Sequence, residues 1–86
     1  MTEREIQLLG FEKEWIDDPI DHEYYYSLRL TPGLSFISQS SGTVSDDNWF
    51  VDIFNTQNPI RFYQFAELQA LINLLNSKMI KESGLV

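Results

Sequence analysis

Residues 24–39 read YYYSLRLTPGLSFISQ, a pattern typical of a β-hairpin. Over residues 24–30, alternate positions fall into an aromatic and leucine set and a second, more polar set, which is the period of a half-buried strand. Pro32 suits the first central position of a turn, and Gly33 suits a position that requires a positive φ. Residues 34–39 are therefore predicted as the returning strand of the hairpin.

Further strands are predicted on both sides of this hairpin. Residues 11–16 alternate in the same way upstream, and residues 49–54 alternate downstream. Residues 60–62 follow a proline-containing turn and form a short last strand. The short connections between successive strands favour an antiparallel meander.

Two helices complete the predicted elements. Thr2 and Glu5 have the spacing of a capping box, which predicts a short helix at about 3–9, and Gly10 suits its C-terminus. Over residues 64–81 the apolar spacing changes to three and four, which predicts an amphipathic helix. Its apolar stripe consists of Phe65, Leu68, Ile72, Leu75 and Met79, with Leu71 beside it.

These elements predict an α+β fold. An antiparallel meander of about four to five strands packs against one long C-terminal helix, with a short N-terminal helix. The 86 residues form a single domain, 1–86. A chain of this size buries only about 60–65% of its extended surface, so a deep catalytic pocket is not expected.

Composition narrows the classes of partner and compartment. The chain has 13 acidic and 6 basic residues, a net charge of −7. This charge argues against binding to nucleic acid or anionic membrane and permits a basic protein partner. There is no cysteine, which excludes disulfides and thiolate metal sites. No segment has the length of a bilayer span, and the charged N-terminus does not resemble a signal peptide, so a cytoplasmic location is expected.

Acidic residues are concentrated in the segment before the hairpin, and Lys13 is the one basic residue among them. The acidic residues are Glu12, Glu14, Asp17, Asp18, Asp21 and Glu23. If strand pairing gathers them, they would steer a basic partner and could mimic the phosphates of a nucleic acid. The alternative is a solvated strand edge whose charge prevents edge-to-edge aggregation.

Aromatic residues give the second candidate surface. One helix cannot cover both faces of a sheet, so the side chains that alternate away from it are expected on an open face: Tyr25, Phe50, Phe54 and Tyr63. Exposed apolar patches mark interfaces, and Tyr and Phe are enriched in interface cores. The alternative is that the N-terminal segment with Phe11, or a curled sheet, covers these rings. The predicted protein-binding residues are these four as anchors, with Glu12, Glu14, Asp17 and Asp18 for steering.

No catalytic or metal motif is evident. His22 is the only histidine, and neither a nucleophile-elbow sequence nor a phosphate-binding glycine pattern is present. His22 and its acidic neighbours Asp17, Asp18, Asp21 and Glu23 could be metal ligands, but their spacing matches no EF-hand loop. We therefore expect no enzyme activity, no cofactor and no metal.

Four short motifs carry a resemblance: LGFE (9–12), YYY (24–26), DNWFV (47–51) and FAELQAL (65–71). With these motifs the chain resembles small uncharacterised proteins of bacterial mobile elements and phages. The resemblance spans most of the chain but is generic, and it implies no activity and no site residues. It implies a genetic setting that often encodes small inhibitors of other proteins.

The function predicted from the sequence is that of a small acidic, non-enzymatic protein-binding module. It would act as an inhibitor or accessory factor through the aromatic face and the acidic segment. One alternative is a homodimeric structural or accessory protein that pairs outer faces or exposed edges. A third class is a small hydrolase or metal-binding protein.

Overall fold

A computed structural model describes residues 1–16, 20, 22–53 and 60–84, with side chains up to residue 78. The elements are α1 (Glu3–Leu8), β1 (Glu12–Trp15), β2 (Tyr24–Thr31), β3 (Leu34–Ser38), a 3₁₀ turn (Ser41–Thr43), β4 (Val51–Ile53), β5 (Arg61–Phe62) and α2 (Phe65–Gly84). The predicted α+β class is confirmed. The Asp and Pro residues in 17–21 predict a turn or loop after β1, and of this segment only Ile20 is described. The predicted turn at 55–59 lies outside the described residues.

The strands form one antiparallel sheet in the order β1-β2-β3-β4-β5, which is the predicted meander. In the β2–β3 hairpin, Thr31 pairs with Leu34 across the turn, and the register shifts between Arg29 and Thr31. Gly33 does not adopt a positive φ, so the prediction that this turn position requires one is wrong. The irregularity before the turn provides the physical explanation, because a bulge lets strands adapt to a turn that has no left-handed residue.

The hydrophobic core lies on one face of the sheet, called here the inner face. Its buried members are Ile6, Phe11, Tyr26, Phe36, Trp49, Val51, Leu68 and Ile72. Alternation along the strands sends Tyr26, Phe36 and Val51 to this face. Ile6 from α1 and two residues from α2 cover them, so both helices share the inner face. The N-terminal segment therefore does not cover the opposite face, which we call the outer face.

Hydrogen bonds hold α1 on the inner face. The capping box is present, with Glu5 N–H donating to Thr2 Oγ1 over 3.2 Å and Thr2 N–H donating to Glu5 Oε1 over 2.8 Å. Glu3 Oε2 accepts from the hydroxyls of Tyr24, at 2.9 Å, and Tyr26, at 2.6 Å. Burial, followed by the bond to Glu3, raises the pKa of Tyr26 to about 12 and also raises the pKa of Tyr24.

The segment at 40–48 is more structured than the plain exposed loop that its polar composition predicts. It contains the 3₁₀ turn and an isolated bridge between Ser45 and Asn48. Asp47 Oδ1 accepts from the backbone of Glu3 and from the indole of Trp49, each over 3.0 Å. The segment therefore ties α1 to the sheet, because long-range hydrogen bonds satisfy its polar groups.

Helix α2 packs on the core through the described part of the predicted stripe, and the side chain of Met79 lies outside the described residues. Leu68 and Ile72 are buried, and Leu71 and Leu75 are half-buried. Leu74, which falls outside the stripe, is 53% exposed. Neither helix of the described chain has the combination of length and apolar character that a bilayer crossing requires.

Candidate functional site: the outer face of the sheet

One cross-strand row crosses the outer face from edge to edge. Glu14 pairs with Tyr25 between β1 and β2. The β2–β3 pairing ends at Ser27 and Ile37, and extending it by two residues sets Tyr25 opposite Gln39. The N–H of Gln39 donates to the carbonyl of Phe50 over 3.2 Å, and the β4–β5 register continues to Phe50 opposite Tyr63. We call Glu14, Tyr25, Gln39, Phe50 and Tyr63 the outer row. With strands about 4.8 Å apart, it spans about 19 Å.

The β4–β5 end of the outer row is an aromatic platform. The rings of Phe50 and Tyr63 lie 6.1 Å apart between centroids, and Tyr63 is 58% exposed. The Arg61 guanidinium lies 3.8 Å from the Phe50 ring centroid. It also donates to Asp52 through two bonds, Nε to Oδ1 at 2.8 Å and Nη2 to Oδ2 at 3.1 Å. This bidentate pair raises the pKa of Arg61 and balances its charge beside the rings.

Gln39 fixes the middle of the outer row. Its Oε1 accepts from the backbone N–H of Phe50 over 3.0 Å. Its Nε2 donates to the carbonyl and to the hydroxyl of Thr43, each over 3.1 Å. Because these bonds use the amide of Gln39, a partner could approach the neighbouring rings without first having to pair that amide. No sequence motif marks Gln39, and its only signal is its position at the end of the predicted strand.

The β1 end of the outer row is polar and negatively charged. Glu12 and Glu14 are exposed on the outer face, and Ser27 Oγ lies 3.4 Å from Glu14 Oε1. Short serine side chains leave two shallow grooves here, of about 380 and 240 Å³. Their common lining residues are Glu14, Ser27 and Arg29. The grooved end of the outer face therefore carries the carboxylates of Glu12 and Glu14 against the one guanidinium of Arg29, and the other end is aromatic.

Five of the eight predicted binding residues lie on the outer face, and for the three rings this is the face that alternation predicts. Tyr25 and Phe50 are half-buried, and Tyr63, Glu12 and Glu14 are exposed. The other three, Asp17, Asp18 and Phe54, lie outside the described residues. The binding role of all eight stays a prediction.

The described residues do not bring together a metal-binding group of three His, Cys, Asp or Glu side chains. His22 is exposed and has a φ of 51°. The candidate ligands Asp17, Asp18 and Asp21 are not described, so the expected absence of a metal stays a prediction. The same holds for the expected absence of enzyme activity.

Comparison with protein-family models, with curated proteins and with solved structures found no match for this chain. The resemblance to proteins of mobile elements and phages therefore stays a prediction.

Proposed function

We propose that the protein is a non-enzymatic binding module that engages a basic protein partner through the outer face of its sheet. The observation that carries the proposal is the outer row, in which Tyr25, Phe50 and Tyr63 share a face that neither helix covers. A partner that docked there would bury rings without unfolding any element of the domain. Such preorganised aromatic side chains are typical anchors of protein interfaces.

The charge distribution supports a basic partner. The net charge is −7, and the outer face contributes the carboxylates of Glu12 and Glu14 at its β1 end. At the other end the carboxylate of Asp52 is already paired with Arg61. A basic partner would thus be attracted to the β1 end by unpaired acids and anchored at the β4–β5 end by rings. In this role the protein would act as an inhibitor or accessory factor of its partner.

A capture experiment with matched variants tests the proposal. The chain would be immobilised and exposed to an extract of its host, and captured proteins would be compared between the unchanged chain and a Phe50→Ser/Tyr63→Ser variant. The control is Leu74→Ser, which also removes an exposed apolar side chain but lies in α2 and not on the outer face. Circular dichroism would verify that all three chains are folded.

We expect a basic protein that the unchanged chain and the Leu74 variant retain and that the double variant loses. Added salt should slow its association, because the Debye length shortens from about 10 Å at 0.1 M as salt rises. Equal capture by all three chains would contradict the proposal, and so would the absence of any captured protein. Sedimentation as a stable dimer that Phe50→Ser/Tyr63→Ser abolishes would instead support the homodimeric alternative.

A further inference from the structure

Strand β1 is the first strand of the sheet, and among the described residues only β2 pairs with it. Ile16 N–H donates to the carbonyl of Glu23 over 2.9 Å, and these two residues are directly opposite when the β1–β2 register is continued. The directly opposed pairs alternate between bonded and non-bonded, so the backbones of Glu12 and Glu14 also bond to β2. The N–H and C=O groups of Lys13 and Trp15 therefore point away from the sheet.

The side chains of β1 leave this edge accessible. All four residues of the strand are exposed, and Trp15 is 63% exposed. Edge lysines commonly block the approach of another strand. Here the Lys13 ammonium lies over inner-face rings, 4.2 Å from the centroid of Tyr24 and 5.9 Å from that of Tyr26. It also lies 5.4 Å from the ring centroid of Trp15. The cation is thus held over rings of the inner face, and the outward backbone groups of Lys13 and Trp15 have no partner among the residues that the structure describes.

The alternation of β1 defines the strand that would fit this edge. An added antiparallel strand would place its residues opposite Glu12 and Glu14 on the outer face and those opposite Lys13 and Trp15 on the inner face. Opposite charges in cross-strand positions stabilise a pair, and apolar side chains pack against aromatic ones. The matching segment therefore alternates lysine or arginine with β-branched or aromatic residues.

Two of the possible pairings between β1 and a second copy of itself oppose like charges. These are the antiparallel pairs centred on Glu14 and on Lys13. The first arrangement sets Glu14 against Glu14 of the second copy, and the other sets Glu12 against Glu14 and lysine against lysine. Like charges directly opposite are destabilising, so these two pairings are disfavoured. A pair centred on Trp15 sets Glu14 against Ile16 and avoids this repulsion, so the test below includes a concentration series without peptide.

We propose that β1 is a docking edge for an extended segment of a partner protein in which basic and apolar residues alternate, added antiparallel to the sheet. This surface is distinct from the aromatic end of the outer row, and the proposal holds whether or not that end binds a protein. Backbone hydrogen bonds would supply affinity, and the alternating side chains would supply specificity.

The test titrates the isotope-labelled chain with capped heptapeptides and follows its amide NMR signals. The probe is TVKVKVT, and its charge-reversed control is TVEVEVT, each at up to about 1 mM because single edge contacts are weak. We expect the lysine peptide to shift the amides of Lys13 and Trp15 and to bind about three- to tenfold tighter than the glutamate peptide. A Glu12→Gln/Glu14→Gln variant should lose most of that preference.

N-methylated peptides test the backbone pairing itself. In the proposed register the valine N–H groups of the peptide face β1, so their methylation should abolish binding, whereas methylation of the lysines should preserve it. The Phe50→Ser/Tyr63→Ser variant should bind TVKVKVT as the unchanged chain does, which separates this edge from the proposed function. Absence of shifts at β1, equal binding of both peptides, or loss on lysine methylation would overturn the inference. Concentration-dependent β1 shifts without peptide would also overturn it, because they would show self-pairing.

Discussion

Tyr25 and Tyr26 are neighbours in the chain, but the sheet places them in opposite environments. Tyr26 is 1% exposed on the inner face, and its hydroxyl donates to Glu3 and accepts from Gln7 over 2.9 Å. Tyr25 is half-buried on the outer face, in line with the aromatic platform. The difference teaches that alternation separates two tasks, with inner rings holding the fold and outer rings available to a partner.

The largest expected difference between the two faces is the loss of unfolding free energy when a large side chain is replaced by alanine. Phe36 is completely buried, and Phe36→Ala should lower the free energy of unfolding by about 3–5 kcal/mol because it leaves a cavity. The matched change Ile37→Ala on the outer face should cost about 1 kcal/mol or less, since Ile37 is only half-buried. Urea denaturation followed by circular dichroism measures both. If Phe36→Ala is unfolded, Phe36→Leu gives a graded loss. Equal losses at the two positions would break the comparison.

Removing one hydroxyl should give a smaller effect of the same kind. Tyr26→Phe leaves the Glu3 carboxylate and the Gln7 amide without a shared partner and should cost about 1–2 kcal/mol in unfolding free energy. Tyr25→Phe on the outer face should stay within about 0.5 kcal/mol of the unchanged chain. The measurement is again urea denaturation at neutral pH. A Tyr25→Phe loss as large as that of Tyr26→Phe would contradict the assignment of the two faces.

Alkaline pH should lower the free energy of unfolding, and part of this loss should depend on Tyr26. The pKa of the Tyr26 hydroxyl is raised to about 12 in the folded chain, whereas a tyrosine in the unfolded chain has a pKa of about 10. The fold therefore holds the phenol proton more tightly, so this stabilisation is complete below about pH 10 and is lost as pH rises towards 12. Tyr24, whose pKa is also raised, should act in the same direction. Denaturation between pH 9 and 12 should show a flatter decline for Tyr26→Phe, and an unchanged slope would refute the linkage.

The smallest stability effect is expected at the exposed ion pair of the outer face. Asp52→Asn removes one partner of Arg61, and exposed pairs contribute little to folding. We expect no measurable change in the urea midpoint. Binding of the captured partner should change instead, because the guanidinium beside Phe50 would no longer be neutralised and would repel a basic protein. A clear loss of stability with unchanged binding would assign the pair to the fold rather than to the site.

Much of the fold follows from local patterns in the sequence. The alternation in β2, β3 and β4 and the three-to-four spacing in α2 determine which side chains reach the core, and they depend only on near neighbours. The same alternation places Tyr25, Phe50 and Tyr63 on the outer face. The capping box of α1 could be predicted because its donors and acceptors are three residues apart.

The features that sequence analysis did not identify are long-range. Glu3 bonds to Tyr26 across 23 positions, and Asp47 bonds to Glu3 across 44, so no local pattern indicates either contact. Gln39 was missed for the same reason, since its role depends on the approach of Phe50 from another strand. Alternation along the strands also does not indicate which face of the sheet α1 covers.

The central claim is that Tyr25, Phe50 and Tyr63 on the outer face are open to solvent while the core rings of Tyr26 and Phe36 are not. Solvent paramagnetic relaxation enhancement of ring protons, with a neutral gadolinium chelate, tests this most directly. The account predicts strong enhancement for Tyr63, clear enhancement for Tyr25 and Phe50, and almost none for Tyr26 and Phe36. Rings of Tyr25, Phe50 and Tyr63 as protected as that of Tyr26 would contradict it.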